Sequence, residues 1–192
     1  MNEEIFGAFP QLETERLILR QLRPDDAEDI FRIYADPQVM RYWSSAPMRS
    51  IDQAHRKIKS VIDAFRATEG IRWAITRKGS GRLIGSCGHW RLLKQHFRSE
   101  IGYELAPEQW GQGIMPEAVA AILRFGFEHM GLHSVEAQIE PNNQGSRRVL
   151  EKLGFVQEGY FRENFVVEGI FTDTAVFSLL KADWLKRDKM TK

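Results

Sequence analysis

The sequence predicts an α/β fold built on one mixed sheet, and three observations carry that prediction. Strand and helix periods alternate in the order βααβββ and then αβαββ, which gives about seven strands. The second to fourth strands follow one another through short connections, as in an antiparallel meander. The later strands are separated by helices, which requires at least one parallel pair.

Each element has a local reason. Arg16-Leu17-Ile18-Leu19-Arg20 sets β formers between charges, and Arg23-Pro24-Asp25-Asp26 opens a helix with a proline-led acidic turn that runs to about Tyr34. Asp36-Pro37 breaks it, and from Val39 to Met48 no period is readable, so the stretch reads as a connection carrying Tyr42 and Trp43. Ser50 caps a second helix, in which Ala54, Ile58, Val61, Ile62 and Phe65 keep helical spacing. Strands follow at Arg72 to Arg77, Arg82 to Leu93 and Ser99 to Leu105, the first two joined by Lys78-Gly79-Ser80-Gly81. A glycine loop then enters a helix with Val119, Ile122, Leu123, Gly126, Phe127 and Met130 on one side and Gly131 at its end. A strand from Ser134 to Glu140, the turn Pro141-Asn142-Asn143, a helix stopped by Gly154, and strands around Phe155 to Val166 and Thr172 to Leu180 complete the order.

Composition narrows the function. At 192 residues, with 43% apolar side chains and no repeat or linker, the chain is expected to form one domain. Lys and Arg number 27 against 26 Asp and Glu, so no global field recruits nucleic acid or an anionic membrane. The start, Met1-Asn2-Glu3-Glu4, is acidic and no apolar stretch follows, so no signal or transit peptide is expected. Ala118 to Leu123 is the longest apolar run, far below the roughly 18 residues of a membrane span. Cys87 stands alone, which excludes an internal disulfide and fits a reducing interior. A soluble, cytoplasmic protein is the expectation.

Gly111-Gln112-Gly113 follows a strand and opens a helix. Glycines admit a ligand close to the backbone, and free N–H groups at a helix start favour phosphate; the plain alternative is a turn into a helix. No Lys-Ser or Lys-Thr pair follows, and Pro116 stands where a dinucleotide fingerprint needs its third glycine, so nucleotide hydrolysis and hydride transfer lose ground. His129 and His133 are split by Gly131 and H-E-x-x-H is absent, so no metal site is expected. Cys87 and His89 share a strand face without a third orienting group, which favours a buried cysteine beside a pocket-lining histidine over a thiol nucleophile.

One helix and one strand beyond the glycine loop lies a second helix opening, Asn143-Gln144-Gly145-Ser146, followed by Leu150-Glu151-Lys152-Leu153-Gly154-Phe155. Together with Glu15-Arg16-Leu17-Ile18-Leu19-Arg20 and Glu100-Ile101-Gly102-Tyr103-Glu104-Leu105, these segments resemble the GNAT superfamily of acyl-CoA-dependent N-acetyltransferases. The likeness is to its Rim-type branch, which acetylates N-termini of ribosomal proteins, and it spans about residues 13–182. It implies helices on both faces of the sheet, a splay between the fourth and fifth strands, acetyl-CoA as cosubstrate, and direct transfer to a primary amine.

The resemblance also assigns residues. Gly111, Gln112 and Gly113 would seat the CoA pyrophosphate, Leu105 would meet the acetyl carbonyl through its backbone, Asn143 would contact pantetheine, and Arg147, with Arg148, the 3'-phosphate. For the two arginines a solvated basic helix face is the alternative. Trp110 and Met115 depart from the commoner loop residues. Leu150 stands where many relatives carry a general-acid tyrosine, which leaves Ser146, a first-turn or capping serine on the plain reading. Strand alternation puts Glu100, Gly102 and Glu104 on one face, so Glu100 or Glu104 is the candidate base, with a solvated face as the alternative. Glu163 is a third option, because Phe165 occupies the position of a glutamate in some relatives. Tyr42, Trp43 and Trp90 border the acceptor pocket or belong to the core, and His89 lines that pocket. The expected acceptor is a protein N-terminus; a small amine (amino acid, polyamine or antibiotic) and a non-catalytic acyl-CoA-binding module are the alternatives, and monomer and homodimer both stay open.

Overall fold

A computed structural model describes residues 1–167 and 169–190, with backbone alone for 188–190. Its strands are β1 (Leu12–Glu13), β2 (Leu17–Gln21), β3 (Ile71–Arg77), β4 (Leu83–Leu93), β5 (Arg98–Leu105), β6 (Ser134–Ile139), β7 (Val156–Val167) and β8 (Ile170–Leu180). They form one sheet in the order β1-β2-β3-β4-β5-β6-β8-β7. The pair β5/β6 is parallel and the others are antiparallel, so the expected meander and the expected parallel pair are both present. Eight strands replace the expected seven because β1 has two residues, too few to show a period.

Helices α1 (Ala27–Ala35), α2 (Pro37–Met40), α3 (Ile51–Arg66), α4 (Ile114–Glu128), α5 (Gln144–Leu153) and α6 (Lys181–Met190) complete the chain. Two of them correct the sequence reading. At the break before the stretch read as a connection, Asp36 accepts a hydrogen bond from the Gln38 N–H at 2.8 Å, and that cap starts α2, which runs into the stretch as far as Met40. After the last strand, α6 forms where no element was expected, held by Trp184, which is buried against Phe127. Ser50 begins α3 as expected: Gln53 Oε1 accepts from the Ser50 N–H at 3.1 Å, half of a capping box.

Helices cover both faces. On one, Ile30, Ile33 and Tyr34 of α1 and Ala54 and Ile58 of α3 pack on Ala74 and Leu83. On the other, Val119, Ile122, Leu123 and Phe127 of α4 and Leu150 of α5 pack on Trp73, Ile75, Cys87, Ile101 and Val135. The first layer lies against β3 and β4, and the second bridges from β4 across to β6. Arg20 and Asp26 join the end of β2 to the start of α1 by two hydrogen bonds of 2.6 and 2.8 Å, both side chains buried.

Candidate active site

The site is a break in the sheet. Strands β5 and β6 pair through Arg98↔Ser134, Ser99↔Val135 and Glu100↔Glu136, and then part. Each follows its outer neighbour instead: β5 stays paired to β4 as far as Leu105, and β6 to β8 as far as Ile139. The expected splay between the fourth and fifth predicted strands is therefore present, with Glu100 at its apex.

The glycine loop closes one end. Gly111 and Gly113 have φ of +74° and +73°, a left-handed backbone that favours glycine, and Gly113 is the N-cap of α4. Among the described residues the N–H groups of Gly111, Gln112 and Gly113 make no hydrogen bond. A Cβ at Gly111 would meet nothing within 4 Å, and one at Gly113 only an Arg16 nitrogen at 3.5 Å. These are an open cradle of donors at a helix start, suited to an anion such as a pyrophosphate. Pro116, in the first turn of α4, has no N–H to add.

Two cations that sequence reasoning missed brace this loop. Arg16 donates to the Gln112 carbonyl at 2.9 Å and pairs with Glu117 at 2.6 Å. Arg77 donates to Gln109 Oε1 at 2.8 Å and to Gln112 Oε1, so its side-chain partners among the described residues are neutral amides and its charge is left beside the cradle. Nothing local signals either residue, since Arg16 lies on the far side of the sequence from the loop it supports. The Trp110 indole donates to the Leu105 carbonyl at 2.8 Å, tying the loop to the end of β5.

At the apex the two glutamates have different surroundings. Both are buried, so neither belongs to a solvated face. Glu104 accepts from Ser86 on one oxygen and from Arg72 on the other, and its side chain is fully enclosed. The hydroxyl of Tyr34, buried beside Glu104 and Arg72, has no partner within 3.5 Å among the described residues, and the Lys57 ammonium lies 4.5 Å over its ring. Glu100 has one oxygen held by Arg91 Nη1 at 3.1 Å. Burial pushes its carboxyl up to about 7, Arg91 acts against that rise, and the charge of Glu136 adds to it. Between the two glutamates, the space above Gly102 is flanked by Arg72 Nη1 and Trp90 Nε1. Trp90 is half exposed there, with Arg91 over its ring.

On the other face, Tyr103 reaches α5: its hydroxyl lies 2.7 Å from Ser146 Oγ. Asn143 Oδ1 accepts from the Ser146 N–H at 3.0 Å, which makes Asn143 the cap and Ser146 a first-turn residue. Arg147 donates to Gln157 Oε1 at 3.0 Å and stacks on the Phe177 ring.

The remaining expected residues are spread over several elements. His89 does not border the groove: it faces α4, with Nδ1 2.8 Å from Ser99 Oγ and Nε2 2.9 Å from the Ile122 carbonyl oxygen. Parity put it on the Cys87 face, and that face is the one α4 covers; burial pushes the imidazole down to about 4 and the Cys87 thiol up. Trp43 packs on Tyr34 with ring centroids 5.7 Å apart, and Tyr42 lies under Arg41. Glu163 is exposed in a bulge of β7, its N–H bonded to Asp173. No group of His, Cys, Asp or Glu among the described residues could hold a metal ion.

A split parallel pair with a glycine cradle at its open end is the arrangement that the likeness to acyl-CoA-dependent transferases implies. A family model described as "Acetyltransferase (GNAT) domain" matches residues 16–156, and the chain belongs to that family of acetyl-CoA-dependent N-acetyltransferases. The chain is 40% identical over 173 residues to "Uncharacterized N-acetyltransferase YoaA" of Bacillus subtilis, covering 90% of this chain and 98% of that protein. It is 24% identical over 183 residues to the "[Ribosomal protein uS5]-alanine N-acetyltransferase" of Escherichia coli, covering 91% and 92%. A solved acetyltransferase of the GNAT family from Bacillus anthracis superposes with a TM-score of 0.81 at 25% identity, covering 90% of this chain and 99% of that one. No helix among the described residues is long and apolar enough to cross a membrane.

Proposed function

We propose that the protein, acting as a single transferase domain, moves the acetyl group of acetyl-CoA directly to the N-terminal amine of a protein. The observation that supports this reading is the face on which Glu100 lies. The register Glu100↔Glu136↔Ser178 continues on β8 to Thr174 and Thr172, opposite Phe161 and Phe165. Acidic groups along β5 and β6 therefore share a face with exposed aromatic side chains, Trp90 on one side and Phe161 and Phe165 on the other. Each carboxylate has an arginine partner, Arg91 for Glu100, Arg72 for Glu104 and Arg98 for Glu136, so the groove is balanced in charge and its aromatic rims offer apolar surface to the residues that follow an N-terminal amine. The name of the uS5-alanine relative points the same way.

In this mechanism the cradle of Gly111, Gln112 and Gly113, with Arg77 beside it, holds the pyrophosphate. The bound thioester supplies the electrophilic carbon. Glu100 takes the amine proton, directly or through one water: its carboxylate sits at the apex and keeps one oxygen without a hydrogen-bond partner among the described residues, and a value near 7 suits a base at neutral pH. Glu104, with both oxygens engaged, acts as a fixed negative charge that orients Arg72. Ser146 is the hydroxyl assigned to the leaving group, and the start of α5 favours the thiolate electrostatically.

Release of free thiol from acetyl-CoA, with mass spectrometry of the product, tests the reading. The acceptors are peptides with N-terminal alanine or serine, and spermidine. Peptide N-acetylation is expected. Tight CoA binding without thiol release would leave a binding module, and transfer to spermidine alone would leave a small-amine enzyme.

A further inference from the structure

The family's tyrosine position is filled by Leu150, fully buried in the core, yet a tyrosine hydroxyl reaches the same helix from another element. Tyr103 lies on β5, three residues beyond the last β5/β6 pair, and Ser146 lies on α5, which follows β6. Their 2.7 Å contact runs from one lip of the split to the other. Ser146 precedes Leu150 by one helical turn, so the two share a side of α5. The Ser146 N–H is held by Asn143, which fixes the turn, and in the contact between the Tyr103 and Ser146 hydroxyls either one can be the donor. The Tyr103 hydroxyl lies 3.4 Å from the Ser146 carbonyl oxygen as well, so the ring is aimed at this one residue.

We propose that Tyr103 is a positioning residue for the leaving group: it donates its hydrogen bond to Ser146 Oγ and so turns the serine proton into the split, towards the sulfur of CoA. Burial raises the pKa of Tyr103, which keeps it a protonated donor throughout the working range. As the acceptor nitrogen bonds to the acetyl carbon, the C–S bond breaks and its electron pair goes to sulfur. Ser146 Oγ–H donates a hydrogen bond to that sulfur, and the amine proton goes to Glu100 or water. The thiolate gains its proton from solvent on release, and Tyr103 loses none. A hydroxyl that accepts one hydrogen bond donates a stronger one, so the chain of two outperforms serine alone.

This role rests on the acetyl-transfer reading, but its first test needs no acceptor. The probes are CoA and desulfo-CoA, bound by calorimetry from pH 7 to 9.5. In the unaltered protein the preference for CoA should grow about tenfold as the thiol ionises, the size of one charge-assisted hydrogen bond. Tyr103→Phe keeps the ring in place and should reduce that growth to about twofold, with desulfo-CoA affinity unchanged. Ser146→Ala should do the same, and the double variant should be no worse than Ser146→Ala. Tyr103→Phe with the full pH-dependent preference, or losses that multiply in the double variant, would overturn the proposal. In turnover with an alanine-led peptide, Tyr103→Phe should lower kcat about tenfold while KM for acetyl-CoA stays within about twofold. A protein that releases no thiol with any peptide or with spermidine would fail the transfer reading, and the comparison of CoA with desulfo-CoA would still decide the role of Tyr103.

Discussion

Replacing Arg91 by methionine should move the acid limb of the pH–rate profile upward. In the proposed mechanism Glu100 serves as base only when ionised, so with its carboxyl at about 7 the rate should climb through neutral pH and level off above. Arg91, 3.1 Å from the carboxylate, is the group that holds this value down. Two charges at that distance in a water-like medium attract by about 1 kcal/mol. The Arg91 side chain is 58% exposed, so screening and mobility leave about 0.7 kcal/mol, or half a pH unit. The assay is kcat/KM for thiol release between pH 5.5 and 9. A limb that stays in place, or moves down, refutes the placement of Glu100 as the base.

The same carboxyl links activity to stability. Between about 4.5 and 7 the folded protein keeps a proton on Glu100 that the unfolded chain releases, so stability falls as pH rises through that window. Glu100→Gln should therefore raise stability at pH 8 by about 1–2 kcal/mol, a Tm gain of roughly 3–6 °C, while turnover drops about 100-fold; an unchanged or lower Tm there would contradict the buried charge. Gly113→Val forces a β-branched residue to φ +73° beside Arg16 and should weaken CoA binding by more than about tenfold by calorimetry. Arg77→Ala should weaken it about fivefold at low salt and less in high salt, because the lost interaction is a partly exposed charge on phosphate. Asp26→Ala leaves the Arg20 guanidinium buried without its carboxylate and should cost about 3–5 kcal/mol in denaturant unfolding, with CoA affinity per folded molecule unchanged.

What the sequence made legible was whatever is periodic or local. α4 and α5, the meander and the glycine loop follow from spacing and from Gly111, Gly113 and Gly154. β1 and α2, two and four residues long, are too short for a period to show, and α6 is anchored by buried Trp184 and by Arg187 on the Lys152 carbonyl, contacts that no period announces. Parity correctly put Glu100 with Glu104, and Cys87 with His89, on single faces, but parity does not say which face a helix will cover. That is why His89, read as lining a pocket, lies under α4. The Tyr103–Ser146 contact and the bracing of the loop by Arg16 and Arg77 join residues 30 to 100 positions apart, and such pairings exist only once the sheet has assembled.

The three residue pairs between β5 and β6 also have a dynamic meaning. The sheet is nearly two sheets, hinged at Glu100↔Glu136 and held together by helices α4 and α5 on one face. In the free protein, amides on the facing edges of residues 101–105 and 137–139 lack strand partners, and they should exchange with deuterium ahead of the paired amides of β3 and β4. Acetyl-CoA at a hundred times its Kd would add about 2.7 kcal/mol to the folded state. Much of that protection should appear in the half formed by β6, β7, β8 and α5, so the enzyme at work is a stiffer molecule than the enzyme at rest.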